Sequence, residues 1–195
     1  MKKKWYIVFI SLLVIGIGLG ISYLQFWRDA GIQLPTDVRM NTAQGEEYNL
    51  ASLDEKVRIV EFMYTKCPDV CPLTTQRMMH LKEQFKDDGV YGDQVEFVTV
   101  TIDPENDTNE RLQQYMKSFG AEEDPSWIFL RGSVEDTKKL AEPFRFLFKD
   151  NGTEYLVHTS YAYLLDKDNY LVGKFPMGEA FNKDQVYNTV MDLVN

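Results

Sequence analysis

The only two cysteines in 195 residues stand together as Cys67-Pro68-Asp69-Val70-Cys71-Pro72. An apolar run, Val57 to Thr65, ends just before them, and a helical pattern begins just after. A strand that leads through a two-thiol turn into a helix is a common way to build redox and soft-metal sites. The thiolate is the form that attacks disulfides and binds metals, and a helix N-terminus stabilises it. Cys71 is expected at the helix N-cap, where free amides lower its pKa, with Cys67 in the preceding turn. Both sulfurs then point into one pocket, close enough to form a disulfide or share a metal. A bridge across this spacing closes a tiny loop and stabilises little. The pair is therefore read as redox-active rather than as a structural staple.

A metal needs a further ligand, and the chain holds two histidines, His80 and His158. His80 follows Cys71 by nine residues on the same helix. At 3.6 residues per turn that is about 180° round and ~13 Å along, so it faces away. His158 lies in Tyr155-Leu156-Val157-His158-Thr159-Ser160. Alone, a histidine there is more often a hydrogen-bonded structural residue. With two cysteines lacking a third ligand, it becomes the candidate. Two thiolates and an imidazole make a soft set that favours Cu(I), tolerates Cu(II) and disfavours hard cations. Structural zinc takes four protein ligands, and no third cysteine exists. Met40, Met63, Met78, Met79 and Met177 are further thioether donors, most of them read as packing. Asp103, ending a strand beside the site, is placed to influence the thiols.

The elements that must hold these residues follow from periodicity and punctuation. Residues 37–56 read as irregular or hairpin structure with a turn at Gln44-Gly45. Strands are expected at Val57–Tyr64, Val95–Ile102 and Trp127–Leu130. Helices are expected from Pro72 to about Asp88, after the capping box Asp107-Thr108-Asn109-Glu110, after the cap Ser133, and over about 180–194. Tyr161–Leu165 and Tyr170–Phe175 form a hairpin across Asp168-Asn169. Strands alternating with helices imply a parallel sheet covered on both faces, and the hairpin makes it mixed. The fold class is α/β, thioredoxin-like. Ordinary thioredoxins carry a proline before the hairpin strand, where this chain has Thr159-Ser160. That weakens the case for a general dithiol oxidoreductase.

Lys2, Lys3 and Lys4 precede 23 uncharged residues, Trp5 to Trp27. About 20 apolar residues span a bilayer as a helix. Lysines before the span place the N-terminus in the cytoplasm, and Trp5, Tyr6, Tyr23 and Trp27 suit the two interfaces. A cleaved signal peptide is the alternative, with a shorter apolar stretch and a small-residue cleavage site that Leu24–Arg28 lacks. The expected organisation is an anchor over 1–28, a linker over 29–36 and a domain over 37–195. The expected location is the cell membrane, single-pass, with the domain on the extracytoplasmic side. The net charge is −9, and three units more negative without the N-terminal lysines. Such an acidic domain argues against nucleic acid as a partner.

Three stretches in order carry a family resemblance: Tyr64-Thr65-Lys66-Cys67-Pro68-Asp69-Val70-Cys71-Pro72, Thr101-Ile102-Asp103-Pro104-Glu105-Asn106-Asp107-Thr108 and Tyr155–Ser160. The chain resembles the Sco/SenC family of membrane-anchored, thioredoxin-like copper proteins of respiratory oxidase assembly. Asn41 stands where the family commonly has aspartate. The resemblance implies Cys67, Cys71 and His158 as copper ligands and the copper-site subunit of a terminal cytochrome c oxidase as partner. A copper chaperone, rather than an enzyme, is the first reading. A thiol-disulfide reductase keeping the oxidase subunit's cysteines reduced is the second. Peroxidase-like thiol chemistry is a third, without a peroxidatic motif around either cysteine.

Overall fold

A computed structural model describes residues 2–29, 31–153 and 155–194. The chain divides into two units, Met1–Ile32 and Gln33–Asn195. The first contains helix α1 (Lys2–Asp29). Among the described residues no helix is long and apolar enough to cross a membrane. The segment expected as an anchor falls within this helix. The side chains of Lys2, Lys3, Lys4, Tyr23 and Trp27, on which orientation and interfacial anchoring rested, lie outside the described residues.

The second unit begins inside the expected linker. Leu34 is buried, and Gln33 bridges to Tyr170. Its elements are β1 (Met40–Thr42), β2 (Glu47–Tyr48), β3 (Val57–Met63), α2 (Val70–Asp87), β4 (Val95–Thr101), α3 (Asn109–Ser118) and β5 (Trp127–Gly132). Then come α4 (Val134–Ala141), β6 (Phe148–Lys149), β7 (Val157–His158), β8 (Tyr161–Leu165), β9 (Leu171–Pro176), a 3-10 turn (Gly178–Ala180) and α5 (Lys183–Val194).

Seven strands form one sheet in the order β2-β1-β5-β4-β3-β8-β9. Strands β3, β4 and β5 run parallel, while β8, β9, β1 and β2 add antiparallel margins. All seven residues of β3 and all seven of β4 are buried, as mid-sheet strands covered on both faces must be. One face carries Ile59, Phe97, Phe129, Ala162 and Leu164 against Met78, Leu81 and Phe85 of α2, Leu112 and Met116 of α3, and Val186 and Val190 of α5. On the other, Phe62 meets Phe144 and Phe146, just beyond α4, and Tyr163 of β8. The expected mixed, two-faced sheet is thus the observed one.

Two charges interrupt the apolar reading of β3. Arg58 is buried, and its Nε donates to Glu96 of β4 at 2.6 Å. Its other nitrogens donate to the Asp54 carbonyl at 2.6 Å and Asn169 Oδ1 at 2.7 Å. This pairing ties the N-terminal end of the sheet together, far from the cysteines along the strand. Glu61 lies on the α2 face nearer the C-terminal end. Parallel strands place ligand sites beyond their carboxyl ends, and here that is where the cysteine turn lies.

Local details differ from the sequence reading. Helix α2 starts at Val70, so Cys71 is its second residue and not its cap; the cap is Asp69. Helix α3 is capped by Thr108, whose hydroxyl accepts from Arg111 N–H. Asp107 instead turns inward, fully buried, and accepts from Thr65 N–H at 3.0 Å and from the Thr65 and Thr101 hydroxyls. Ser133 caps α4 as expected, accepting from Asp136 N–H at 3.0 Å. The ribbon β6–β7, outside the main sheet, was not expected at all.

Candidate metal centre

Three elements converge on one point. Strand β3 ends at Met63, and its continuation carries Cys67. Helix α2 carries Cys71, and β7 carries His158. One donor atom from each of these three residues lies within 4.8 Å of the other two. Both cysteines are free thiols; Cys71 is fully buried and Cys67 is 9% exposed.

The two sulfurs are not equivalent. The Cys71 thiol donates to Cys67, and this bond, against the cost of burial, holds the Cys67 pKa down to about 4. His158 and the amides of Asp69 and Cys71 add to the effect, the Cys71 amide lying 3.4 Å from Cys67 Sγ. Free amides at a helix start favour thiolate. The expectation that Cys71 would be the acidified thiol is therefore reversed. Cys71 sits inside the first turn, and its N–H reaches back to Cys67. Its own pKa is raised, chiefly because it donates to the Cys67 sulfur, then by burial and by the charges of Cys67 and Glu61.

His158 is held from three sides. Tyr64 meets it edge-on, with ring centroids 5.8 Å apart, and Phe146 stacks on it at 5.9 Å. Its Nδ1 lies 2.9 Å from the Thr159 carbonyl. A carbonyl only accepts, so Nδ1 carries the proton and Nε2 keeps the lone pair, the usual arrangement for a metal-ligating histidine. Burial opposes protonation of the ring, but the bonds to Cys67 and the Thr159 carbonyl outweigh it and raise the pKa. Cys67 and His158 thus face each other, each favouring the charged form of the other.

The remaining candidates separate clearly. His80 is exposed on α2 and outside the cluster, as its helix phase requires. Met40, Met63 and Met78 are fully buried in the core, and Met177 nearly so. Asp103 accepts from Asn106 Nδ2 at 2.9 and 3.1 Å, and its charge adds to the raised pKa of Asp107.

Glu61 was missed by sequence reasoning. It is fully buried, and neither carboxylate oxygen has a partner in hydrogen-bonding geometry. Burial, then the charge on Cys67, raises its pKa well above the carboxylate range; the Thr75 hydroxyl tempers this. That hydroxyl is already bonded to the Cys71 carbonyl at 3.0 Å and to Tyr115 Oη at 2.9 Å. The signal was available: an acidic residue interrupts the largely apolar strand that leads to the cysteine turn, six residues before Cys67.

A thioredoxin-like sheet with a Cys-Cys-His cluster beyond its parallel strands defines the class: soft-metal or dithiol proteins. The family model described as SCO1/SenC matches residues 33–195. The chain belongs to the SCO1/SenC family. A SCO2-like protein of Rickettsia typhi is 30% identical over 139 residues, covering 67% of this chain and 64% of its own length. The match thus spans just under two thirds of that relative. The crystal structure of a SCO1/SenC family lipoprotein from Bacillus anthracis superposes with TM-score 0.76 at 24% identity, over 86% of this chain and 99% of that one. Arabidopsis thaliana ScoI with copper bound superposes with TM-score 0.70 at 26% identity, over 84% and 98%.

Proposed function

We propose that this chain is a membrane-tethered copper chaperone, with Cu(I) as its cargo. Cys67 Sγ, Cys71 Sγ and His158 Nε2 hold the ion, and the acceptor is the copper site of a terminal cytochrome c oxidase subunit. The convergence of the three donor atoms within 4.8 Å carries the reading. Two sulfurs and one imidazole are the donor set that soft Cu(I) prefers. The copper-bound Arabidopsis relative supports the choice of metal, and the resemblance of the three motifs supports the oxidase as destination. The tether rests on sequence: three lysines ahead of 23 uncharged residues favour an N-terminus inside and the domain outside.

A second reading, thiol-disulfide reduction, is favoured by the inequality of the two sulfurs. A low-pKa, slightly exposed Cys67 suits the attacking thiolate, and a buried, protonated Cys71 suits the resolving thiol. One experiment separates the two. The reduced full-length protein in detergent is titrated with Cu(I) against a chromophoric chelator, beside His158→Ala, His80→Ala and Cys71→Ser. A chaperone loses affinity in His158→Ala while disulfide reduction persists, loses both in Cys71→Ser and neither in His80→Ala. Full affinity without His158 would leave the reductase as the function.

A further inference from the structure

The triad is assembled from segments nearly ninety residues apart in sequence, and one short stretch joins them. Met177 N–H donates to the Ser160 carbonyl at 3.1 Å, two residues beyond His158. The next residue, Gly178, donates its N–H to the Thr74 hydroxyl at 2.8 Å. That hydroxyl in turn donates to the Val70 carbonyl at 2.7 Å, inside the Cys67–Cys71 turn. Three hydrogen bonds and one peptide therefore connect the segment just after His158 to the first turn of the cysteine helix.

Gly178 is the one residue that can close this connection. It is buried with φ +67, and a Cβ there would lie 3.0 Å from Val70 Cγ1, 3.3 Å from Val70 Cβ and 3.4 Å from Val70 Cα. The backbone conformation is open to glycine and strained for other residues. The close approach is to the residue that immediately precedes Cys71. Beyond Gly178, the Phe181 carbonyl accepts from Arg77 of α2, so the 3-10 turn is held to the helix at a second point.

We propose that Met177-Gly178 is a clasp that sets the separation of His158 from the two sulfurs, with Gly178 and Thr74 as positioning residues of the metal site. The proposal rests on the copper reading for its metal, and on the Cys67–His158 contact for its geometry. In Gly178→Ala the new methyl pushes Val70, and with it the cysteine turn, away from β8. In Thr74→Val the clasp loses its acceptor without crowding, and Thr74→Ser keeps it.

Two measurements on the reduced full-length protein test the clasp. The first is the set of NMR cross-relaxation contacts between the His158 ring and the Cys67 and Val70 side chains in metal-free protein. The second is Cu(I) affinity by chelator competition, alongside the melting temperature. Gly178→Ala and Thr74→Val are expected to weaken the His158–Cys67 contacts, because the histidine segment and the cysteine turn separate. Affinity is expected to fall by about 10–100-fold, the usual cost of losing a group that orients a ligand. Thr74→Ser retains both, and adding Val70→Ala to Gly178→Ala recovers part of each. Lower melting temperature with unchanged contacts and affinity would overturn the proposal and leave Gly178 a packing residue. Where Gly178→Ala does not fold, Thr74→Val against Thr74→Ser decides alone. If the unaltered protein bound no copper, the function reading would fail, while the metal-free contacts would still judge the clasp.

Discussion

The unequal thiols make a quantitative prediction about protons and copper. A metal binds only deprotonated ligands, so each proton displaced makes affinity rise about tenfold per pH unit. Cys67, with its pKa at about 4, is already a thiolate near neutrality and contributes no proton. Cys71, with its pKa raised, is protonated there and contributes one. His158, also raised, contributes a second proton wherever the ring is still charged. In the unaltered protein, Cu(I) affinity should climb about tenfold per unit on the alkaline side of the His158 transition and about a hundredfold per unit on its acid side. His158→Ala removes the second proton. Its affinity is lower throughout, but the slope should be about tenfold per unit across about pH 5–8, since one cysteine alone titrates. The principal support of the Cys67 thiolate is the Cys71 thiol and not the histidine, so it survives the substitution. Chelator competition, corrected for the chelator's own protonation, reads the slope directly. A hundredfold slope in His158→Ala near neutrality would mean that both sulfurs are protonated there. That result would refute the assignment of Cys67 as a preformed thiolate.

Two further outcomes follow from buried carboxyls. Glu61 has a folded pKa raised well above its unfolded value, so its contribution to stability is present below the unfolded pKa and is lost as pH rises through the folded one. Glu61→Gln should therefore unfold with a flatter pH dependence than the parent above about pH 4.3, and gain on it as pH rises; urea melts at several pH values showing parallel curves would sink the idea. Asp107→Ala strands the buried Thr101 hydroxyl and the Thr65 N–H and hydroxyl, at about 1–3 kcal/mol for each truly buried group. A loss of about 2–4 kcal/mol in denaturant unfolding is expected, with Asp107→Asn losing less because one acceptor oxygen remains; a neutral Asp107→Ala would show that the Thr65 turn is held by other contacts.

The sequence determined what local chemistry can determine. Runs rich in Val, Ile and Phe located the parallel strands β3 and β4, which are buried on both faces, and helical periods located their helices. The CPDVCP turn and a single well-placed histidine were enough to name all three members of the cluster. Helix phase alone removed His80, since nine residues along an α-helix turn a side chain to the opposite face.

Tertiary structure decided everything that depends on a partner distant in the chain. Two-residue strands such as β6 and β7 have no period to read, so the ribbon carrying His158 was invisible until Phe148 paired with it. Asp107 looked like a cap because Thr108 and the helix follow it; only the fold brings Thr65 and Thr101 to its carboxylate. Which sulfur is acidic was likewise not legible. A two-residue difference in where α2 begins turns the Cys71 amide onto the Cys67 sulfur, and the bond to Cys67, then burial, holds the proton on Cys71. Periodicity and residue type belong to the chain, whereas pKa values and ligand separations belong to the space into which it folds.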